Sequence, residues 1–176
     1  MIRRIFGGQE IVIRKISKKD LGKAKEFSDF INSFVKEDAK VLINKKQTLA
    51  EEKSWLKSNL KDQNSKRVNL VAEHKDKIVG SARVESGRWR KSHVGEFGIT
   101  IRSGYRGIGL GKYLASETIK LARKELGVKI IRLCVYSDNK PAISLYKKLG
   151  FKKVAEIPEQ IQYKGKLISE LIMLLF

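Results

Sequence analysis

Apolar positions in this chain switch between two periods, and the switches mark its elements. Ile11 and Ile13 fall on one face of an extended run over residues 10–15, with Ile16 following, which predicts a first strand. Ser17, just before Lys18-Lys19-Asp20-Leu21, supplies helix-start chemistry, and Phe27, Phe30, Ile31, Phe34 and Val35 then recur at helical spacing. A second helix is predicted over residues 48–60, with Leu49, Trp55, Leu56 and Leu60 inward and Glu51, Glu52, Lys53 and Lys57 outward. After the polar loop 62–65, residues 68–73 and 78–84 read as a hairpin turning at His74-Lys75-Asp76-Lys77. Residues 87–93 form a basic loop holding Trp89, and 94–101 form a strand that enters a glycine-rich turn.

From Leu110 onward, Leu114, Ala115, Ile119, Ala122 and Leu126 define one helix face, ended by Gly127. A strand over 128–135 follows, then a short helix over 141–149 that begins at Pro141 and is closed by Gly150. Residues 151–156, 161–163 and 167–175 read as three further strands, the last two around Lys164-Gly165-Lys166. This order predicts an α/β (α+β) fold with a mixed, largely antiparallel central sheet flanked by helices, in a single domain over 1–176.

At 176 residues and 41% hydrophobic composition the chain can bury a real core, and its two prolines argue against disorder. No apolar stretch approaches the roughly eighteen residues of a membrane helix, and Met1 to Gly8 has no apolar signal region behind its charges. A cytoplasmic location without a membrane partner is expected. Cys134 is alone and lies in the apolar run 130–135, so it reads as a core thiol. His74 and His93 stand apart from any cluster at ligand spacing, and no metal is expected. The net charge of +19, from 38 basic and 19 acidic residues, predicts attraction to anions such as phosphate-bearing ligands, acidic protein surfaces or nucleic acid. The basic residues are scattered, which favours a solvated basic surface over a dedicated nucleic-acid site.

The sharpest chemical signal is Tyr105-Arg106-Gly107-Ile108-Gly109-Leu110-Gly111-Lys112. Glycines let a backbone approach a ligand closely, and the first turn of the following helix offers unpaired N–H groups at the positive end of its dipole, which suits a phosphate or pyrophosphate. A Walker-type loop would need Gly at Arg106 and Ser or Thr at Tyr113, and the dinucleotide fingerprint would need Gly at Lys112. Taken alone, the glycines would also serve an ordinary strand-to-helix turn.

A second segment, Asn139 to Phe151, changes that balance. Arg106, Gly109 and Gly111 meet the pattern Arg/Gln-x-x-Gly-x-Gly/Ala, while Asn139, Ala142 and Tyr146 meet Asn-x-x-Ala-x-x-x-Tyr ahead of Gly150-Phe151. Together they resemble the acyl-CoA-binding half of the GCN5-related N-acetyltransferase (GNAT) family, over about residue 70 to the C-terminus. Ser103 departs from the resemblance where many relatives carry Pro.

The resemblance implies the acyl-CoA N-acyltransferase fold and acetyl-CoA as cosubstrate. The acetyl group would pass to a primary amine, of a protein or peptide, by direct attack in a ternary complex. Backbone groups of Ile99 and Ile101, with Thr100 between them, would pair with the pantetheine arm. Main-chain N–H groups of Gly107, Ile108, Gly109, Leu110, Gly111 and Lys112, behind Arg106, would hold the pyrophosphate. Asn139 would bond the pantetheine or nearby backbone, and Tyr146 would sit beside the sulfur as general acid.

At neutral pH an unperturbed lysine amine, with pKa ~10.4, is free base only about one part in a few thousand, and an α-amine near ~8 about a tenth. A proton acceptor is therefore useful. Glu96, three residues before Ile99, is the candidate, and it could equally face solvent or pair with a surface Lys; Glu73, Glu85 and His93 stand behind it. The loop of Arg88, Trp89, Arg90, Lys91 and His93 could border the acceptor, stack on RNA, or be an ordinary exposed loop. Two rival classes remain: a basic nucleic-acid- or ribosome-associated module on the same scaffold, and a non-catalytic CoA-binding regulator.

Overall fold

Two glycines explain an element that periodicity passes over. In a computed structural model describing all 176 residues, Gly7 and Gly8 take φ values of +53° and +78° and turn the chain between β1 (Ile2–Phe6) and β2 (Gln9–Lys15). β1 shows no clean alternation, because it is an edge strand of which Phe6 alone is buried.

A capped 3-10 turn follows, in which the Asp20 carboxylate accepts from the Ser17 backbone N–H at 2.7 Å, and it leads into α1 (Ala24–Lys36). α2 (Leu49–Asp62) starts on a reciprocal cap: Thr48 N–H donates to the Glu51 carboxylate at 2.7 Å and Glu51 N–H donates to Thr48 Oγ1 at 3.2 Å. Its inward stripe differs from expectation. Glu52, Leu56 and Asn59, at helical spacing, are buried, while Leu49 is exposed in the first turn.

β3 (Arg67–His74), β4 (Lys77–Ser86), β5 (Val94–Ile101), α3 (Leu110–Leu126), β6 (Ile130–Tyr136), α4 (Lys140–Lys148), β7 (Lys152–Tyr163) and β8 (Lys166–Leu175) complete the chain. The eight strands run in the order β1-β2-β3-β4-β5-β6-β8-β7. All neighbours are antiparallel except β5 and β6, whose parallel pairing needs the α3 crossover between them. β7 is one strand with a register irregularity between Ile157 and Ile161, where two runs were expected; the long hairpin with β8 carries the pairing across the break.

The two faces of the sheet are covered differently. α3 and α4 pack on one face, closing a core that includes Val84, Phe97, Leu114, Ile131, Leu133 and Met173. α1 and α2 cover the other face over β2 to β4, through Phe27, Phe34, Leu56, Val71 and Ile78. Beyond β4 this second face has no helix above it, and alternation points Glu96, Gly98, Thr100, Arg132, Cys134, Tyr136 and Glu170 onto it. Cys134 is therefore a half-buried thiol on the open face, not a core thiol: in a strand only every second residue of an apolar run can turn inward.

Candidate active site

The central strands part company in mid-sheet. β5 and β6 are paired only at Val94↔Ile130, Gly95↔Ile131 and Glu96↔Arg132, although β5 stays paired with β4 as far as Ile101↔Gly80. The His93 carbonyl accepts from Lys129 and Ile130 on the β6 side, at 2.8 and 3.1 Å, and the Val94 carbonyl accepts from Gly87 on the β4 side, at 2.8 Å. Carried along the strand, this alternation turns the N–H and C=O groups of Phe97, Ile99 and Ile101 toward the gap. Thr100 turns its backbone the other way, opposite Ser81 on β4, and only its side chain reaches the open face.

At the wide end of the gap stands the glycine turn. Gly107 and Gly109 adopt φ of +79° and +87°, Gly109 as the N-cap of α3, and a Cβ at either would meet nothing within 4 Å. Outside the helices and strands, no backbone hydrogen bond uses an N–H between Gly107 and Lys112 as donor; the first from this stretch is Tyr113 N–H to Gly109 O at 3.2 Å. Six successive amides at a helix N-terminus, with exposed Lys112 at the rim, fit a diphosphate. Ile108 is held from behind, since a Cβ on Gly7 would lie 2.8 Å from its Cγ2. Tyr113 is clamped between Phe6, 5.6 Å between ring centroids, and Arg4, 4.7 Å above its ring.

Arg106 stands beside the cradle rather than within it. Its Nε donates to the Ile101 carbonyl at 2.7 Å, and its guanidinium pairs with Glu37 at the end of α1 and lies over Phe34. It braces the turn against α1. Asn139 caps α4, its Oδ1 accepting from Ala142 N–H at 3.3 Å.

Tyr146 is 7% exposed and stands edge-on to Phe97, 6.3 Å between centroids, with Phe151 on its flank. Phe97 is the first residue of β5 beyond its last rung with β6, so the phenol packed on it lies beside the parting strands. Burial pushes its pKa up to about 12. On the opposite face Glu96 sits at the last rung of the β5–β6 pairing, half exposed, 3.3 Å from Arg132. Loss of water raises its carboxyl above the ordinary range, Arg132 and Arg83 pull it back, and Glu170 adds to the rise.

The fallback carboxylates are committed elsewhere. Glu73 is tied to Arg14 at 2.8 Å and Lys23 at 2.5 Å, and Glu85 to Arg67 at 2.7 Å. The loop with Trp89 and His93 is exposed and lies at the start of β5, the end of the strand away from the glycine turn. No three His, Cys, Asp or Glu side chains gather as a metal site, and no helix is long and apolar enough to cross a membrane.

Two features escaped sequence reasoning. A cavity of about 240 Å³ lies between the α1–α2 loop and the end of β7, lined by Phe34, Val41, Leu42, Ile43, Tyr136, Ile161 and Tyr163 among others. The loop is tied down there: Tyr136 donates to the Val41 carbonyl at 3.0 Å and Tyr163 to the Asp38 carbonyl at 2.7 Å. The second is Glu170, which only strand register brings to this face.

Comparison with known proteins matches this geometry. The model of the acetyltransferase (GNAT) family fits residues 31–151. The L-amino acid N-acetyltransferase AaaT of Escherichia coli is 39% identical over 84 residues, 47% of this chain and 52% of that protein, so the chain spans about half the length of the curated relatives it matches. A GNAT-family acetyltransferase from Streptococcus pneumoniae superposes with a TM-score of 0.82 at 25% identity, over 94% of this chain and 98% of its own. In fold, the chain also follows yncA of Salmonella typhimurium, solved with its cofactor acetyl-CoA: TM-score 0.79, 22% identity, 94% and 92% covered. The family model spans more than half of the chain, which therefore belongs to the acetyltransferase (GNAT) family.

Proposed function

We propose that the acceptor is a primary amine of a protein or peptide, a lysine side chain or an N-terminus, acetylated by direct attack in a ternary complex. The observation that carries this reading is the interrupted β5–β6 pairing, which leaves backbone at Ile99 free with a phenol on one face and a carboxylate on the other. A slender thioester lying in that gap would meet an acid and a base from opposite sides.

Bound acetyl-CoA supplies an activated acetyl thioester. The amides from Gly107 to Lys112 would hold its diphosphate, and Ile99 and Ile101 would offer strand-like hydrogen bonds to its arm. Glu96 takes the proton that the incoming ammonium must lose, and its raised pKa makes it a better-matched base than an ordinary carboxylate. Tyr146 keeps its proton at neutral pH and gives it to the leaving sulfur. One N–C bond forms, one C–S bond breaks, and one proton is taken up while another is given.

A polymeric acceptor is supported by the uncovered face beside the gap and by the +19 charge, which draws acidic chains. The E. coli relative is named for L-amino acids, so free amino acids belong in the same test. Release of CoA is measured against lysine peptides, N-terminal peptides, free amino acids and polyamines, alongside calorimetric titration with acetyl-CoA. The expected result is binding together with preferred turnover of a peptide class. Turnover of free amino acids alone would replace the polymeric acceptor, and binding without any turnover would point to a regulator. RNA affinity that falls steeply with salt, without amine transfer, would favour the nucleic-acid module.

A further inference from the structure

We infer that Glu170 selects the acceptor, holding its ammonium group on the open face of the sheet before transfer. This rests on the transferase reading above and names a residue that reading does not use.

Strand register places Glu170 directly opposite Tyr136 and diagonal to Cys134, on the face that carries Glu96. Its chain neighbour Leu171 turns into the core, so the carboxylate cannot share that direction. Glu170 is half-buried, and no Lys or Arg nitrogen lies within 4.0 Å of it. The other carboxylates on this face have their cations, Glu85 from Arg67 and Glu96 from Arg132. In a chain with twice as many bases as acids, a partly desolvated carboxylate whose side-chain company is the Cys134 thiol rather than a cation stands out.

Its charge is felt inward. Glu170 contributes to the raised pKa of both Glu96 and Cys134, so it lies close enough to act across β6. A partly desolvated carboxylate without a cation costs stability, and a ligand ammonium can restore the balance.

The global field makes such a spot necessary. Amines arrive protonated, and a +19 surface repels them. A local negative site between the gap and the apolar cavity beyond Tyr136 gives an ammonium somewhere to dock, with an aromatic ring beside it. From there the amine needs only to pass its proton to Glu96. The class recognised is a primary ammonium on an uncharged, largely apolar stem. Glu170 acts as a positioning residue.

The test uses the full chain with the best acceptor from the amine panel, comparing wild type, Glu170→Gln and Glu170→Asp. Calorimetry with acetyl-CoA and thermal melting serve as controls. For Glu170→Gln we expect the acceptor KM to rise roughly tenfold or more, because a charge-assisted contact is lost, with kcat at saturation and acetyl-CoA Kd nearly unchanged. Glu170→Asp should recover part of the loss. An unchanged acceptor KM in a folded Glu170→Gln variant that still binds acetyl-CoA would overturn the role of Glu170 and leave the transferase reading standing. Acetyl-CoA binding with no amine acetylated would overturn both.

Discussion

The two sides of the cleft are assembled in opposite ways. The side proposed for acetyl-CoA comes from short contiguous segments, the Gly107–Lys112 turn and the Asn139–Phe151 motif, resting on a packed apolar core. The side proposed for the acceptor is gathered from β5, β6, β8 and the α1–α2 loop, with charges standing on an uncovered sheet. One side is a backbone device that tolerates little change in shape; the other is a side-chain device that can change its client while the fold stays the same.

Damage to the two sides should therefore look different in kinetics. Glu96→Gln should cut kcat by about 10²–10⁴ while acetyl-CoA binding is preserved. The acid limb of the wild-type pH profile should lie above the ordinary carboxylate range, because the base works only when ionised and its pKa is raised. Arg132→Gln, which removes a charge that favours ionisation, should move that limb to still higher pH.

Tyr146→Phe is expected to lower kcat by about 10², with both KM values little changed. Full activity in that variant would remove the phenol from the chemistry.

On the nucleotide side, Gly7→Ala should weaken acetyl-CoA binding and destabilise the fold by about 1–3 kcal/mol, with the acceptor KM unmoved. The added methyl would strike Ile108 at 2.8 Å and adopt an unfavourable positive φ. Ile108→Ala in the same chain should restore part of the binding, and failure to do so would mean that the N-terminal turn does not shape the cradle.

The smallest effect belongs to neither side. Glu52 is buried on α2 and its pKa is pushed up to about 7 by desolvation, from an ordinary 4.5. Between those values the folded chain holds a proton that the unfolded chain has lost, so stability falls as pH rises from about 4.5 to about 7 and is flat beyond. Glu52→Gln should add about 1–2 kcal/mol at pH 8 and almost nothing at pH 4, checked by urea unfolding at both values.

The same contrast explains what could be read in advance. The turn and α4 were visible because their chemistry depends on neighbours in sequence: positive-φ glycines before a helix, and an Asn cap three residues ahead of the amide it accepts. Glu170 was not visible, since its company is set by pairing with Tyr136, thirty-four positions away, and no local pattern encodes register. Cys134 was misassigned by reading an apolar run as uniformly buried, and Glu52 by sorting charge to the outside of a helix. β1 could have been found from Gly7-Gly8, a turn signal between two runs containing Ile.

The missing rungs between β5 and β6 also act as a gauge. An outer strand edge can take on any passing chain, whereas this edge is flanked by strands on both sides and opens from a normal spacing of about 4.8 Å. If the proposed thioester arm lies there, a thin, unbranched chain would fit best, and crowding near the carbonyl, rather than polarity, is what the sheet itself would turn away.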